Sequence, residues 1–197
     1  TMYAGGVNLA SNAKNGTWNF GDNSGLDRAP GGISTGVAGG TRCVNVYTHI
    51  LNTGKKKLTD LRVAYNVEKY RDGNNAAGFD VQLYYSVDGR NWTNAGSDFL
   101  THFAPDSQTA GYADVPATTV SVNAVLPVDA DPGCDIFLAW NISVASGDAA
   151  QGAMALAIDD FSLSASIPPV PTAQHYIYAV FRRRLFRQVI RHYKKAL

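Results

Sequence analysis

The sequence predicts an all-β protein, an antiparallel sandwich or jelly roll of about nine strands followed by a short basic helix at the C-terminus. Apolar and polar side chains alternate with period two along many short segments, the pattern of half-buried strands. Nineteen glycines among 197 residues, with only 17% charged residues, supply the turns between such strands. No helix of useful length is predicted before residue 180, which argues against a parallel α/β enzyme fold.

Three long stripes locate the central strands. Leu61, Val63, Tyr65 and Val67 share one face of the first, the second covers 79–86, and the longest runs over 136–144. Asp88-Gly89 predicts the tight turn of a hairpin over 86–92, with Trp92 folding back on the preceding strand. The polar segment 97–117 is predicted to be a long surface loop. Further strands are predicted near 3–10, 16–21, 42–51, 118–127 and 154–164.

The chain divides into a β-sandwich module over 1–166, a proline-containing linker with a possible strand start over 167–180, and a basic amphipathic helical tail over 181–197. Residues 1–180 hold ten Lys and Arg against sixteen Asp and Glu, whereas the tail holds seven Lys and Arg and no acid. The tail's apolar residues recur at helical spacing. We expect the tail helix to self-associate or to pack against an acidic surface. The alternative is that it binds a membrane surface or nucleic acid.

The strand 154–164 carries two adjacent carboxylates, Asp159 and Asp160. If Leu156 and Ile158 face the core, Asp160 faces it too, and the opposite phase brings Asp159 inward. In both cases one carboxylate is expected to approach the apolar interior, where it needs a cation or hydrogen-bond donors.

A structural calcium site is one prediction for these carboxylates, because calcium takes six to eight oxygen ligands in flexible geometry. The other is an ion-pair network, in which Arg28 or Arg71 neutralises the terminal-strand aspartate. The four candidate metal ligands come from separated segments; they are Asp27, Glu68, Asp159 and Asp160.

Six aromatic residues occupy polar-phase or loop positions, namely Trp18, Tyr47, Tyr70, Tyr84, Trp92 and Tyr112. Flat rings on a sandwich face stack well on sugar rings, although tyrosines also line ordinary half-buried sheets. The candidate ligand-binding residues are Trp18, Tyr70, Trp92 and Tyr112.

No pattern in the sequence indicates catalysis. The histidines are far apart, no nucleophile elbow is present, and Gly31-Gly32 and Gly39-Gly40 are predicted to bound a Thr/Ser-rich turn. Cys43 and Cys134 lack metal or redox spacing; two separate buried thiols are expected, with one disulfide as the alternative.

Five motifs occur in order along residues 3–165, at 27–32, 65–71, 83–93, 138–140 and 157–163. As an ordered set they resemble a β-sandwich module of secreted, multidomain bacterial surface proteins, and the last strand is similar to that of MAM-type and carbohydrate-binding jelly rolls. The resemblance implies an extracellular accessory domain without catalysis of its own, with Asp160 as a structural calcium ligand. The basic helix from Phe181 departs from this family, whose members often continue into another β-domain.

The sequence therefore predicts a secreted or cell-surface, non-catalytic module that binds polysaccharide or cell-surface glycan for a larger protein. A structural spacer or adhesion module without a small-molecule ligand is the alternative, and a hydrolase is a weaker one. No nucleic-acid partner is expected, and no apolar run is long enough to span a membrane.

Overall fold

A computed structural model describes residues 2–4, 16–21, 27–34, 42–107, 112–113, 115–144 and 153–165, and for 2–4 it describes the backbone. The predicted linker 167–180, the tail helix 181–197 and most of the predicted strand 3–10 lie outside these residues. In the described part, no helix is long and apolar enough to cross a membrane.

Two mainly antiparallel sheets confirm the all-β sandwich. The six-stranded sheet has the order β1-β2-β3-β11-β5-β9, and the five-stranded sheet places β10 between β4 and β6, with β7 and β8 both pairing with β6. The strands are β1 Met2–Ala4, β2 Gly16–Phe20, β3 Ala29–Ile33, β4 Cys43–Leu51, β5 Leu58–Arg71, β6 Phe79–Ser86, β7 Thr93–Asn94, β8 Leu100–Phe103, β9 Thr118–Ala130, β10 Asp135–Val144 and β11 Ala155–Ala165.

The core lies between the two sheets, where the predicted stripes meet. Leu61, Val63, Tyr65 and Val67 of β5 are buried, as are the alternate residues of β6 and β10. The Tyr65 ring meets Trp140 of β10 edge to face, with centroids 5.4 Å apart. Period-two alternation therefore identified the inner faces of the central strands correctly.

Gly31 and Gly32 lie inside β3, a strand that the sequence did not predict, and most of the Thr/Ser-rich turn that they were predicted to bound lies outside the described residues. A Cβ on Gly31 would come within 2.1 Å of the Leu156 carbonyl oxygen, and one on Gly32 within 2.5 Å of Val44 Cγ1 in the opposite sheet. Glycine is required here because strands approach this position from the side and from across the sandwich.

Within the segment 97–117, the described residues 97–107, 112–113 and 115–117 are more ordered than a surface loop. The segment begins with a 3-10 helix, Ser97–Phe99, and continues into β8, which pairs with β6. Phe99 and Phe103 are buried, and Tyr112 forms an isolated bridge with Arg71. The polar composition hid these anchors, because only every second residue of β8 faces the core.

The two cysteines lie at opposite ends of the β4–β10 pair. Cys43 is opposite Ser143, whereas Cys134 directly precedes Asp135, which is opposite Leu51. About eight residues of strand therefore separate them, roughly 27 Å, against a Cα–Cα limit of about 7 Å for a disulfide. Both thiols are free, and the expectation that both are buried is wrong, because Cys43 is exposed and Cys134 half-buried.

Candidate functional site

The structure brings together seven of the eight candidate site residues at one end of the six-stranded sheet, where Tyr70 is part of the hydrophobic core and Trp18 and Tyr112 pack against it. Hydrogen bonds, ring contacts and mutual electrostatic effects connect most of them. They are Trp18, Asp27, Glu68, Tyr70, Tyr112, Asp159 and Asp160. The eighth, Trp92, lies on the other sheet.

Sheet order explains why residues so distant in sequence meet. Trp18 is opposite Gly31, Gly31 is opposite Ala157, and Ala157 is opposite Glu68. Directly opposed residues point to the same face of a sheet. Trp18 and Glu68 therefore share one row, with only the small residues Gly31 and Ala157 between them.

The aromatic members of this group pack on one another. The Tyr70 ring is stacked on Phe20 with centroids 5.3 Å apart, and Tyr112 lies 6.1 Å from Tyr70. The Tyr112 hydroxyl both donates to the Gly21 carbonyl and accepts from the Gly21 amide, each at 3.1 Å. Tyr70 is only 3% exposed, and Trp18 and Tyr112 are half-buried. The ring of Tyr70 is thus occupied by protein contacts.

Glu68 is the buried carboxylate of the group, with 7% of its surface exposed, and it accepts a hydrogen bond of 2.8 Å from the Tyr70 hydroxyl. Burial raises the pKa of Glu68, the bond from Tyr70 lowers it in part, and the negative charges of Asp159, Asp27 and Asp160 raise it further. The net pKa lies above its usual range. Burial and the adjacent Glu68 likewise raise the pKa of Tyr70.

The terminal strand avoids burying either aspartate, so the expectation that one of them enters the interior is wrong. Asp159 is half-buried and Asp160 exposed. A β-bulge lies between the pairs Asp159–Asn66 and Ser162–Ala64, and Asp160 within it has a positive φ of 49°. The extra residue turns the strand over, so that Leu156 and Ile158 face the core before the bulge and Phe161 and Leu163 after it.

The bulge is held by short polar contacts. Asn66 Nδ2 donates to Asp160 Oδ2 at 2.8 Å, and the Asp160 amide donates to Asp159 Oδ1 at 2.8 Å. No group of three or more His, Cys, Asp or Glu side chains within the described ranges is arranged to hold a metal ion. Calcium at this cluster and the competing ion-pair network both stay predictions; Arg71 is buried and donates to the Ala153 carbonyl.

A second group of aromatic residues lies on the outward face of the five-stranded sheet. Tyr47 of β4, Ala139 of β10 and Tyr84 of β6 are directly opposed and form one row across the strands. Tyr47 is 62% exposed, whereas Ala139 is 5% exposed and lies between the larger side chains. Trp92, 38% exposed, brings its ring centroid within 5.7 Å of that of Tyr47.

Trp92 reaches Tyr47 because the hairpin turn 87–92 folds over the sheet. Its ring extends past the preceding strand β6, on which it was expected to pack, because β10 lies between β6 and β4. Asp88 organises the turn by accepting bonds from the amides of Arg90 and Asn91 and from Asn91 Nδ2. These donors hold the pKa of Asp88 far below its ordinary value.

Side-chain amides form a second row beside the aromatic one. Asn45, Asn141 and Gln82 are directly opposed on β4, β10 and β6. Asn141 Nδ2 donates to Asn45 Oδ1 at 2.7 Å. Gln82 Nε2 donates to the carbonyls of Leu83 and Gly96, each at 3.1 Å. These bonds fix the amide planes before any ligand arrives.

A histidine–aspartate pair lies at each end of this face. His49 contacts Asp135 at one end, with Nε2 and Oδ1 2.6 Å apart, and its ring stacks on Phe137. At the other end His102 Nδ1 is 2.6 Å from Asp80 Oδ1. The amide and aromatic rows between these pairs contain no ionisable carboxylate, lysine or arginine.

The amide row, and the alignment of Tyr47 with Tyr84, were missed from the sequence. Alternation places each residue on the outward face of its strand, but it does not identify the neighbouring strand. The outward Asn and Gln of three separate strands were therefore the available signal, and sheet order was needed to join them.

Comparisons of the chain with family models, curated proteins and solved structures find no match.

Proposed function

We propose that this chain is a non-catalytic carbohydrate-binding module, an accessory sandwich of the jelly-roll type that attaches a larger secreted or cell-surface protein to polysaccharide. The outward face of the five-stranded sheet is the binding surface. The observation that carries the proposal is that two exposed aromatic rings, Tyr47 and Trp92, lie beside a hydrogen-bonded row of amides on one sheet face.

Sugars have the complementary chemistry. A pyranose ring offers C–H groups that stack on aromatic faces, and hydroxyl groups that hydrogen-bond to amides at the ring edge. Tyr47 and Trp92 supply the exposed rings, and Asn45, Asn141 and Gln82 supply the amides. Because the Asp88 turn holds Trp92 in place without a ligand, little conformational entropy is lost when a sugar binds.

Burial distinguishes this face from the aromatic group around Tyr70. A sugar could stack on Tyr70 only by displacing Phe20, whose side chain is fully buried against it. Removing a phenylalanine from such a site costs about 3–5 kcal/mol in substitution experiments. Tyr47 needs no such rearrangement.

Glycan-array binding by the intact chain, followed by titration calorimetry with the best ligand, tests the proposal. Trp92→Ala and Tyr47→Ala should each weaken binding about tenfold, the equivalent of ~1.4 kcal/mol for one lost stacking contact. Trp18→Ala is the matched control on the opposite sheet and should bind as the wild type does.

The outcomes separate the alternatives. Loss of binding in Trp18→Ala alone would move the site to the six-stranded sheet. A chain that binds no glycan on the array would instead favour the structural spacer. Release of reducing sugar from a bound glycan would favour the hydrolase.

A further inference from the structure

The side chains on the outward face of the five-stranded sheet are arranged in two parallel rows. Its aromatic row and its amide row both run across the strands, and they are two residues apart along each strand. At about 3.4 Å per residue this places the rows roughly 7 Å apart. Tyr47 and Tyr84 lie two strands apart, roughly 10 Å at the usual interstrand spacing.

These spacings match an extended sugar chain better than a single sugar. The strand positions of Tyr47 and Tyr84 are roughly 10 Å apart, whereas one stacked contact needs centroids within about 7 Å, so two sugar units are needed to engage both residues. A chain laid across the strands could stack over Trp92 and Tyr47 at one end and over Tyr84 at the other. Its hydroxyl groups along one edge would then follow the amide row.

The charges on this face favour uncharged sugar chains over acidic ones. Among the described strand residues that face outward on this sheet, none is lysine or arginine, and the carboxylates Asp80 and Asp135 lie at its two ends. A polymer of uronic acids would approach these carboxylates without a cation in either central row to compensate its charge. A neutral chain meets no such repulsion.

Resting on the proposed function, we propose that this face binds neutral, linear oligosaccharides of three or more sugars, laid across the strands, and rejects uronic-acid polymers. Gln82 is the specificity residue at the β6 end of the amide row. Its two amide hydrogens are held by the carbonyls of Leu83 and Gly96, so the atom it turns to a ligand is the acceptor Oε1.

Calorimetry with the intact chain tests the ligand class directly. The probes are cellohexaose, xylohexaose, chitohexaose and laminarihexaose, the disaccharide of each, and polygalacturonate. We expect at least one neutral hexaose to bind about tenfold tighter than its own disaccharide, because a second stacking contact contributes ~1.4 kcal/mol. Affinity for the neutral ligand should not change between 50 mM and 500 mM NaCl, and polygalacturonate should not bind.

Two variants test the placement of the chain. Tyr84→Ala should lower hexaose affinity about tenfold while leaving disaccharide affinity unchanged, because the disaccharide reaches only the Tyr47 end. Val125→Ala, at a similarly exposed apolar residue on β9 of the six-stranded sheet, is the control for a surface change outside the proposed binding face. Circular dichroism and melting curves establish that both variants fold.

The results distinguish the two proposals. Polygalacturonate binding as tightly as the neutral hexaoses overturns the ligand class and leaves glycan binding intact. Equal affinity for hexaose and disaccharide overturns the orientation across the strands. Binding to none of these probes and to no glycan on the array overturns the proposed function itself.

Discussion

Asp160 offers the most direct test of how the terminal strand is built. It is the one non-glycine residue with positive φ in the described part of the chain, and it forms the bulge that keeps both aspartates out of the core. The left-handed conformation costs an ordinary L-residue about 1–2 kcal/mol, and Asp tolerates it better because its side chain hydrogen-bonds locally. Here the Asp160 carboxylate accepts instead from Asn66 of the neighbouring strand β5, at 2.8 Å.

Asp160→Ala should therefore destabilise the fold by about 1–2 kcal/mol, because it removes an exposed hydrogen bond and leaves alanine in a left-handed conformation. For a protein of this size, each kcal/mol corresponds to a melting-temperature shift of roughly 2–4 °C. Asp160→Gly loses the same bond but adopts positive φ freely, so it should lie within about 0.5 kcal/mol of the wild type. Asp160→Asn keeps an acceptor and should do the same.

Urea unfolding followed by tryptophan fluorescence, with EDTA and with calcium chloride, measures these differences. The bulge predicts that alanine is worse than glycine in both conditions. A calcium ligand predicts that alanine, glycine and asparagine variants are all destabilised with calcium present, and that none differs from the wild type in EDTA. Equal destabilisation by alanine and glycine in EDTA would refute the conformational explanation of the bulge.

Three further predictions concern other parts of the chain. Because the pKa of Glu68 is raised in the folded state, its contribution to stability is greatest below its unfolded pKa and is lost as pH rises through the folded value. Glu68→Gln, which keeps an acceptor for Tyr70, should therefore raise the melting temperature at pH 7 in EDTA, and the gain should shrink below about pH 4.5; a gain that grew on acidification would contradict this. Asp88→Ala should weaken glycan binding by part of the loss seen in Trp92→Ala and change the Trp92 emission, with both effects absent if the turn does not position the ring. Deletion of 181–197 should leave the sandwich folded and change its oligomeric state in sizing chromatography; loss of folding would place the tail in the core.

The alternation of side chains predicted the sandwich because burial on one face of a strand leaves a direct period-two record. The prediction failed where a strand has no alternating side chains, and where it carries apolar residues in both phases of the alternation. Gly31 and Gly32 have no side chains to alternate, so the strand β3 that contains them was not predicted. The terminal strand carried both phases, with Leu156 and Ile158 in one and Phe161 and Leu163 in the other.

That double phase was itself a signal of the bulge. A strand cannot bury both sets with a regular pleat, so an extra residue had to lie between them, at the two aspartates. The convergence of Trp18 with Glu68 had no comparable signal. Their shared row depends on β3 and β11 lying between β2 and β5, an order that no local pattern specifies.

The two aromatic groups of this protein differ in what already occupies their rings. Around Tyr70 the rings contact one another and Phe20, and the nearby Glu68 has a raised pKa, so a perturbation there acts first on folding and on its pH dependence. On the five-stranded sheet, Tyr47 and Trp92 are held by strand and turn while much of their surface stays exposed. Exposed apolar rings in a fixed position lose little entropy on binding and gain the burial that folding did not supply. Substitutions in the Tyr70 group should therefore change the stability of the fold, whereas substitutions of Tyr47 or Trp92 should change ligand affinity.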